Sequence, residues 1–126
     1  MIDHASVKVS DFEKAKTFYS VALAPLGYKL LSDYSQYKAA GFGEAGKADF
    51  WIGGSDGVED ENHIAFAARD KATVDNFYKA GLEAGGTDNG MPGYRKDYSP
   101  GYYAAFIKDL DGHNVEVVYH DPNPSA

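Results

Sequence analysis

The segment Asn62–Gly86, NHIAFAARDKATVDNFYKAGLEAGG, is the most informative about the fold because an earlier part of the chain carries the same pattern. It aligns without a gap on His4–Gly27, HASVKVSDFEKAKTFYSVALAPLG, at a constant offset of 59 residues. The identical pairs are His4 with His63, Asp11 with Asp70, Phe18 with Phe77, Tyr19 with Tyr78, Leu23 with Leu82 and Gly27 with Gly86. A repeat at one fixed period indicates two copies of one supersecondary unit.

Each copy begins with the pattern of a strand and continues with that of a helix. His4–Val9 and His63–Ala68 place an apolar residue at every second position, the period of a strand with one buried face. The period then changes to that of an amphipathic helix. Its apolar positions are Phe12, Ala15, Tyr19, Ala22 and Leu23 in the first copy, and Val74, Phe77, Tyr78 and Leu82 in the second.

Local signals predict where these helices begin and end. Ser10 followed by Glu13 has the spacing of a capping box, and Asp70 can cap the second helix. Gly27 and the pair Gly85–Gly86 stand where a glycine ends a helix.

The remaining segments predict three more strands in each copy. They are Gly27–Leu31, Tyr34–Phe42 and Ala48–Ile52, then a short strand with a mobile loop in Thr87–Pro100, and finally Tyr102–Lys108 and His113–His120. The tail Asp121–Ala126 is predicted to fray. We therefore predict an α+β fold of two βαβββ modules, residues 1–57 and 58–121, within one domain spanning 1–126. A curved mixed sheet would surround a cleft, with the helices on its outer side.

Composition excludes several classes of protein. The chain of 126 residues has no Cys, which excludes disulfides and thiolate ligands and is consistent with the cytoplasm. A net charge of −7 argues against a nucleic-acid partner. The sequence has no run of about 18 apolar residues, so it predicts no membrane span. The first residues lack the pattern of a signal peptide.

Three residues are candidates for a metal site. Glu116 lies in the middle of an apolar strand, where a buried carboxylate needs a cation, hydrogen bonds or a raised pKa. His4 and His63 occupy the same position in the two copies. The alternatives are a pair of core or surface histidines, and a salt bridge from Glu116 to a Lys or Arg. His113 and His120 flank a strand, and we expect both to be exposed.

Three segments carry a resemblance to a known family, and they span nearly the whole chain from Ile2 to His120. They are IDHASVKVSDFEKAKTFY at the start, NHIAFAA in the centre and FIKDLDGHNVEVV near the end. With two βαβββ modules, the chain resembles the vicinal-oxygen-chelate superfamily, which includes glyoxalase I, extradiol dioxygenases, bleomycin-binding resistance proteins and fosfomycin thiol transferases.

The resemblance implies a set of site residues. His4, His63 and Glu116 match the family's ligands for one divalent metal ion (Fe, Mn, Zn or Ni), with Glu116 also catalytic. Ser6, Trp51 and Tyr103 are the matching candidates for substrate binding. The resemblance also implies a homodimer, since modules from two chains commonly complete each cleft in this family.

Some residues of this sequence differ from the family's pattern, and these differences reduce the number of reaction classes that the resemblance implies. Glyoxalase I usually has a further Glu ligand in its first module, but aligning Gly46 with Gly112 puts Phe50 opposite Glu116, with Trp51 one residue away. The thiol transferases fit better, although Ser125 stands in place of their basic residue. Extradiol enzymes need a further His and a Tyr near the metal. Tyr102 or Tyr103 could supply the phenol, but no other His is well placed.

The sequence therefore predicts a metal-dependent enzyme that acts on a small molecule by lyase, isomerase or thiol-transfer chemistry. An extradiol-type dioxygenase and a non-catalytic drug- or metabolite-binding protein are the alternatives. The loop Arg95–Tyr98 is either a solvated loop or a lid that binds an anionic substrate.

Overall fold

The two halves of the chain form two separate four-stranded mixed sheets in the computed structural model, which describes residues 1–58 and 60–124. The first half contains β1 (Ala5–Val9), α1 (Phe12–Ala22), β2 (Lys29–Tyr34), β3 (Ala39–Glu44) and β4 (Lys47–Gly54). The second contains β5 (His63–Ala67), α2 (Lys71–Glu83), β6 (Thr87–Tyr94), β7 (Tyr102–Lys108) and β8 (Asn114–His120). Neither of the α-helices found in the described residues is long and apolar enough to cross a membrane.

Both sheets have the same topology. Their strand orders are β1-β4-β3-β2 and β5-β8-β7-β6, with β1 parallel to β4 and β5 parallel to β8. The predicted α+β fold of two βαβββ units is therefore confirmed.

One hydrophobic core joins the two halves. It contains buried side chains of both helices and of strands from both sheets. Phe66 of β5 contacts Phe50 of β4 edge-on at 5.3 Å between ring centroids, and it contacts Tyr28 at 5.5 Å. Because the helices cover one face of each sheet, the other face is left to carry polar and aromatic side chains.

The residue that caps α1 differs from the predicted one, whereas the cap of α2 is the predicted residue. Asp11, not Ser10, caps α1, since its carboxylate accepts from the Lys14 amide at 3.1 Å. The Ser10 hydroxyl instead donates to Asp111 in the second half at 2.5 Å. Asp70 caps α2 as predicted, accepting from the Thr73 amide at 2.8 Å.

Two strand predictions are also corrected. The predicted strand Tyr34–Phe42 is broken by a 3-10 turn at Ser35–Tyr37, and Lys38 follows it in the left-handed region with φ of 53°. In Thr87–Pro100, the structure has a strand of 8 residues rather than a short one. β6 tolerates its glycines and its proline because it is an edge strand with two register shifts.

The turn between β7 and β8 fastens the two halves together. Buried Asp109 accepts from the Tyr19 hydroxyl of α1 at 2.5 Å and from the backbone amides of Asp111 and His113. Burial, and then the nearby Asp109, raise the pKa of Tyr19.

His113 was predicted to be exposed, and this was wrong. It is 1% exposed because its ring fits between the two halves, with Nε2 donating to the Lys8 carbonyl at 2.7 Å. Its Nδ1 accepts from the Asn62 amide at 3.0 Å. His120 is exposed, as predicted.

The start of the C-terminal tail is held in place rather than frayed. The Asp121 amide donates to the Gly101 carbonyl at 2.8 Å, and its carboxylate accepts from the Tyr94 hydroxyl at 2.5 Å. Ser125 lies outside the described residues.

Candidate metal centre

Strand register brings His63 and Glu116 to the same face of the second sheet. Glu116 lies between Ala65 on β5 and Phe106 on β7, and His63 is two residues before Ala65. The alternate residues of β8, such as Val115 and Val117, belong to the core beneath the helices. We call the opposite face, which carries Glu116, the second open face.

His63 and Glu116 are in direct contact. Nε2 of His63 lies 3.0 Å from Oε1 of Glu116, whose side chain is only 3% exposed, whereas that of His63 is 51% exposed. The other ring nitrogen, Nδ1, lies 3.1 Å from the Asn114 carbonyl, which can only accept a hydrogen bond. In the neutral ring, Nδ1 therefore carries the proton, and Nε2 turns its lone pair toward the carboxylate.

Two acceptors 3.0 Å apart require a proton or a metal ion between them. The first is a hydrogen bond between His63 and Glu116, and the second is an ion bound by both groups. The donor set fits a divalent metal, since imidazole nitrogen and carboxylate oxygen are ordinary ligands of such ions. Within the described residues, no Lys or Arg nitrogen lies within 4.0 Å of Glu116, so the alternative of a salt bridge to either is not found.

Aromatic side chains cover this pair. The Tyr102 hydroxyl donates a hydrogen bond to Oε2 of Glu116, and burial together with this bond raises the pKa of Tyr102 to about 12. The ring of Phe106 stacks on that of His63, with centroids 6.4 Å apart and planes 24° apart. The carboxylate thus has one oxygen fixed by Tyr102 and the other directed at His63.

His4 lies apart from this pair. Its Nδ1 contacts Asp3 at 2.8 Å, and Lys47 holds the same carboxylate at 2.6 Å. The hydrogen bond from Lys47, and then that from His4, lower the pKa of Asp3. Across residues 1–58 and 60–124, no group of three His, Cys, Asp or Glu is placed to hold a metal ion. Within one chain, the structure brings His63 to Glu116 but does not bring His4 to them.

The surroundings of His4 form a second candidate surface, which we call the first open face. His4, Ser6 and Trp51 line one shallow depression on the first sheet. The His4 side chain is 57% exposed, and Nε2 has no hydrogen-bond partner in the part of the chain that the structure describes.

Trp51, rather than Phe50, is the counterpart of Glu116. Ser6 lies opposite Trp51 where β1 pairs with β4. Its repeat equivalent, Ala65, lies opposite Glu116 where β5 pairs with β8. Phe50 instead points into the core and is 2% exposed. Aligning the turns failed because Trp51 lies five residues after Gly46, with a register shift between Phe42 and Gly43 in the same hairpin, whereas Glu116 lies four residues after Gly112. The position in the first half that corresponds to Glu116 is therefore occupied by an indole.

The indole of Trp51 forms an aromatic platform with Tyr34. Their rings are stacked, with planes 4° apart and centroids 6.2 Å apart. A Cβ at Gly41 would lie 2.8 Å from the indole, so glycine is required for the indole to lie flat across β3. Sequence reasoning missed Tyr34, because its contact with Trp51 depends on the register of three strands.

Tyr103 lies on the helix side of the second sheet. Its hydroxyl donates to Asp75 of α2 at 2.7 Å, and its ring packs against Tyr94. The phenol beside Glu116 is therefore that of Tyr102, the residue named only as an alternative. Phe106 and Asn114 were also missed as residues around the site. The side-chain oxygen of Asn114 is buried without a hydrogen-bond partner among the described residues, and alternation along β8 from Glu116 would have pointed to it.

Comparisons with known proteins agree with this fold. A model of the family described as "Glyoxalase/Bleomycin resistance protein/Dioxygenase superfamily" matches residues 1–117. A crystal structure of a glyoxalase/bleomycin resistance protein from Albidiferax ferrireducens is 27% identical, with a TM-score of 0.76, covering 93% of this chain and 96% of that one. No curated protein sequence gives a significant match.

Two more distant structures share the fold. Lactoylglutathione lyase from Agrobacterium tumefaciens is 20% identical with a TM-score of 0.68, covering 94% of this chain and 92% of that one. The fosfomycin resistance protein FosX from Listeria monocytogenes, solved with Mn(II) and a dihydroxypropylphosphonic acid, is 19% identical with a TM-score of 0.71. That match covers 98% of this chain and 93% of FosX.

Proposed function

This chain belongs to the Glyoxalase/Bleomycin resistance protein/Dioxygenase superfamily, and we propose that it is a homodimeric metalloenzyme acting on a small molecule. His63 and Glu116 of one chain would hold one divalent metal ion together with His4 of a second copy. The reaction class is that of a lyase, an isomerase or a thiol transferase.

The contact between His63 and Glu116 carries this proposal. A carboxyl group that is 3% exposed lies 3.0 Å from Nε2 of the His63 imidazole. The carbonyl of Asn114 fixes that orientation of the ring, and metal-bound histidines are usually oriented by such a bond on their other nitrogen.

A second copy of the chain accounts for the position of His4. Asp3 orients its ring in the way that the Asn114 carbonyl orients that of His63, leaving Nε2 exposed. A twofold dimer in which the first open face of one chain meets the second open face of the other forms two equivalent clefts. Each cleft then contains two imidazoles and one carboxylate.

The other residues of the cleft would bind and orient the substrate. A bound divalent ion supplies a Lewis acid for adjacent oxygen atoms of a substrate. Tyr102 holds a proton against one oxygen of Glu116 and fixes the carboxylate. The platform of Trp51 and Tyr34 offers an aromatic surface, and the Ser6 hydroxyl lies beside it.

Metal analysis tests the proposal. Protein purified after growth with Mn(II), Fe(II), Ni(II) and Zn(II) should contain close to one ion per chain. The triple variant H4A/H63A/E116A should contain nearly none. Glu83→Ala, which removes an exposed carboxylate at the end of α2, should keep the wild-type content. Equal, near-zero metal in wild type and triple variant contradicts the proposal.

Two observations favour the alternative functions. The aromatic platform would also suit a metal-free binding protein, which is the function left if the metal analysis is negative. The phenol of Tyr102 beside Glu116 would suit an extradiol-type dioxygenase. An oxygen-uptake assay with catechols on iron-loaded protein separates that class, since rapid uptake would reverse our preference for lyase, isomerase or thiol-transfer chemistry.

A further inference from the structure

Arg95 lies on the same open face as the candidate metal centre. Its backbone amide donates to the Tyr102 carbonyl at 2.7 Å, which places it opposite Tyr102 just beyond the end of β6. Its guanidinium carbon lies 5.3 Å from the centroid of the Phe106 ring. The same ring stacks on His63, and the strand order β6-β7-β8-β5 puts Phe106 between Arg95 and the pair of His63 and Glu116.

The guanidinium is held by the backbone. Nη1 donates to the Gly93 carbonyl at 2.8 Å, and Nη2 donates to the Met91 carbonyl at 2.7 Å. A Cβ at Gly90 would lie 3.1 Å from Nη2, and one at Gly93 would lie 3.2 Å from Nη1, so glycines leave room for the side chain. A side chain already fixed in this way loses little conformational freedom when it binds a ligand.

Its charge is not neutralised by a neighbour. Among the residues that the structure describes, no carboxylate oxygen lies within 4.0 Å of Arg95, although the chain has 19 acidic and 12 basic residues. Five N–H groups are available on a guanidinium, and two carbonyls use only part of them. The remaining N–H groups match an oxyanion, which arginine binds in a bidentate manner.

We propose that Arg95 binds an oxyanion of the substrate, a carboxylate or a phosphoryl-type group, at one end of the cleft. The anionic group then lies across the Phe106 ring from the oxygens that react near His63 and Glu116. The inference rests on the proposed function, and it narrows the substrate to a molecule with a metal-binding end and a separate anionic end.

Binding of graded catechols to Mn(II)-loaded protein tests the inference by calorimetry. Catechol is neutral at its far end, while protocatechuate, homoprotocatechuate and the corresponding catechol phosphonate place a carboxylate or a phosphonate at increasing reach. Arg95→Met should weaken the best-fitting anionic ligand by about tenfold or more and leave catechol within about twofold. Lys96→Met removes the same charge from the next, exposed residue and should change neither. The preferred anion distinguishes a carboxylate from a phosphoryl-type substrate.

Failure of this inference can be told apart from failure of the metal site. If catechol binds only with Mn(II) but R95M binds every anionic ligand as wild type does, the metal site stands and the role of Arg95 is wrong. If catechol shows no dependence on Mn(II), the metal site is wrong. Inorganic phosphate titrated into metal-free protein then decides for Arg95. A saturable shift of its side-chain NMR signal that K96M retains supports the inference, and no shift overturns it.

Discussion

The two open faces share one architecture but carry different chemistry. At matching positions, the first has His4, Ser6 and Trp51, whereas the second has His63, Ala65 and Glu116. The two copies therefore share the backbone and one imidazole each, while the position of the carboxylate is aromatic in the first. Among the residues that the structure describes, neither face alone offers three ligands, which is why we place the metal between two chains.

The two histidines also differ in the groups that they contact. His63 faces a buried carboxylate across 3.0 Å, while the one hydrogen bond of the His4 ring found within the described residues joins its Nδ1 to Asp3. His63 therefore has a second ligand within its own chain, and His4 has an exposed Nε2 that can reach another chain.

Removing the buried carboxylate of the second open face should have the largest effect on Mn(II) affinity. Glu116→Gln keeps the size of the side chain but removes its charge, so we expect Mn(II) affinity to fall by about 100-fold or more, since even outer partners of metal ligands are worth about 10- to 100-fold. The matching change on the first face, Trp51→Gln, should alter it by no more than about threefold. Calorimetric Mn(II) titrations measure both, and equal losses would contradict the assignment of the carboxylate to the second face.

Placing a carboxylate on the first open face should change Mn(II) affinity by a smaller factor and in the opposite direction. Trp51→Glu places a carboxylate at the position that corresponds to Glu116, so it can provide an additional ligand. We expect Mn(II) to bind about tenfold more tightly, the equivalent of about 1.4 kcal/mol. The isosteric W51Q variant is the control for loss of the indole. If W51E and W51Q have the same affinity, position 51 does not face the metal.

The smallest effect concerns the phenol of the second face. The pKa of Tyr102 is raised from 10.0 to about 12 in the folded protein, so its contribution to stability is fully present below pH 10.0 and is lost as the pH rises through about 12. The free energy of unfolding should therefore fall less steeply with pH in Tyr102→Phe than in wild type. Urea unfolding at about pH 9 and about pH 11 measures this difference.

The control is the same substitution, Tyr to Phe, at an exposed position. Tyr37→Phe removes a hydroxyl from a residue that is 77% exposed, and it should keep the wild-type slope. If Y102F has the same slope as Y37F, the folded protein does not raise the pKa of Tyr102.

The duplicated fold could be predicted because the repeat is visible within this single sequence. The constant offset between His4 and His63, with the change of period after each, was enough to predict two βαβββ units. Glu116 was recognisable because a carboxylate among valines contradicts the pattern of a buried strand.

Features that depend on contacts between distant strands could not be predicted. The register shift at Phe42 moved Trp51 into the position first given to Phe50, and no local pattern reveals it. His113 is buried by Lys8 and Asn62, which belong to segments far from it in sequence. The separation of His4 from His63 is of the same kind, since sequence alone does not show which sheet faces meet.

Mixing two inactive variants tests most directly whether one site is built from two chains. H4A and E116Q should each contain almost no Mn(II). Subunits that are mixed, unfolded together and refolded should regain about a quarter of the wild-type metal content, because half of the dimers are mixed and each of those has one intact site. Metal that stays near zero in the mixture, while wild-type protein refolded in the same way recovers its content, would contradict the shared site.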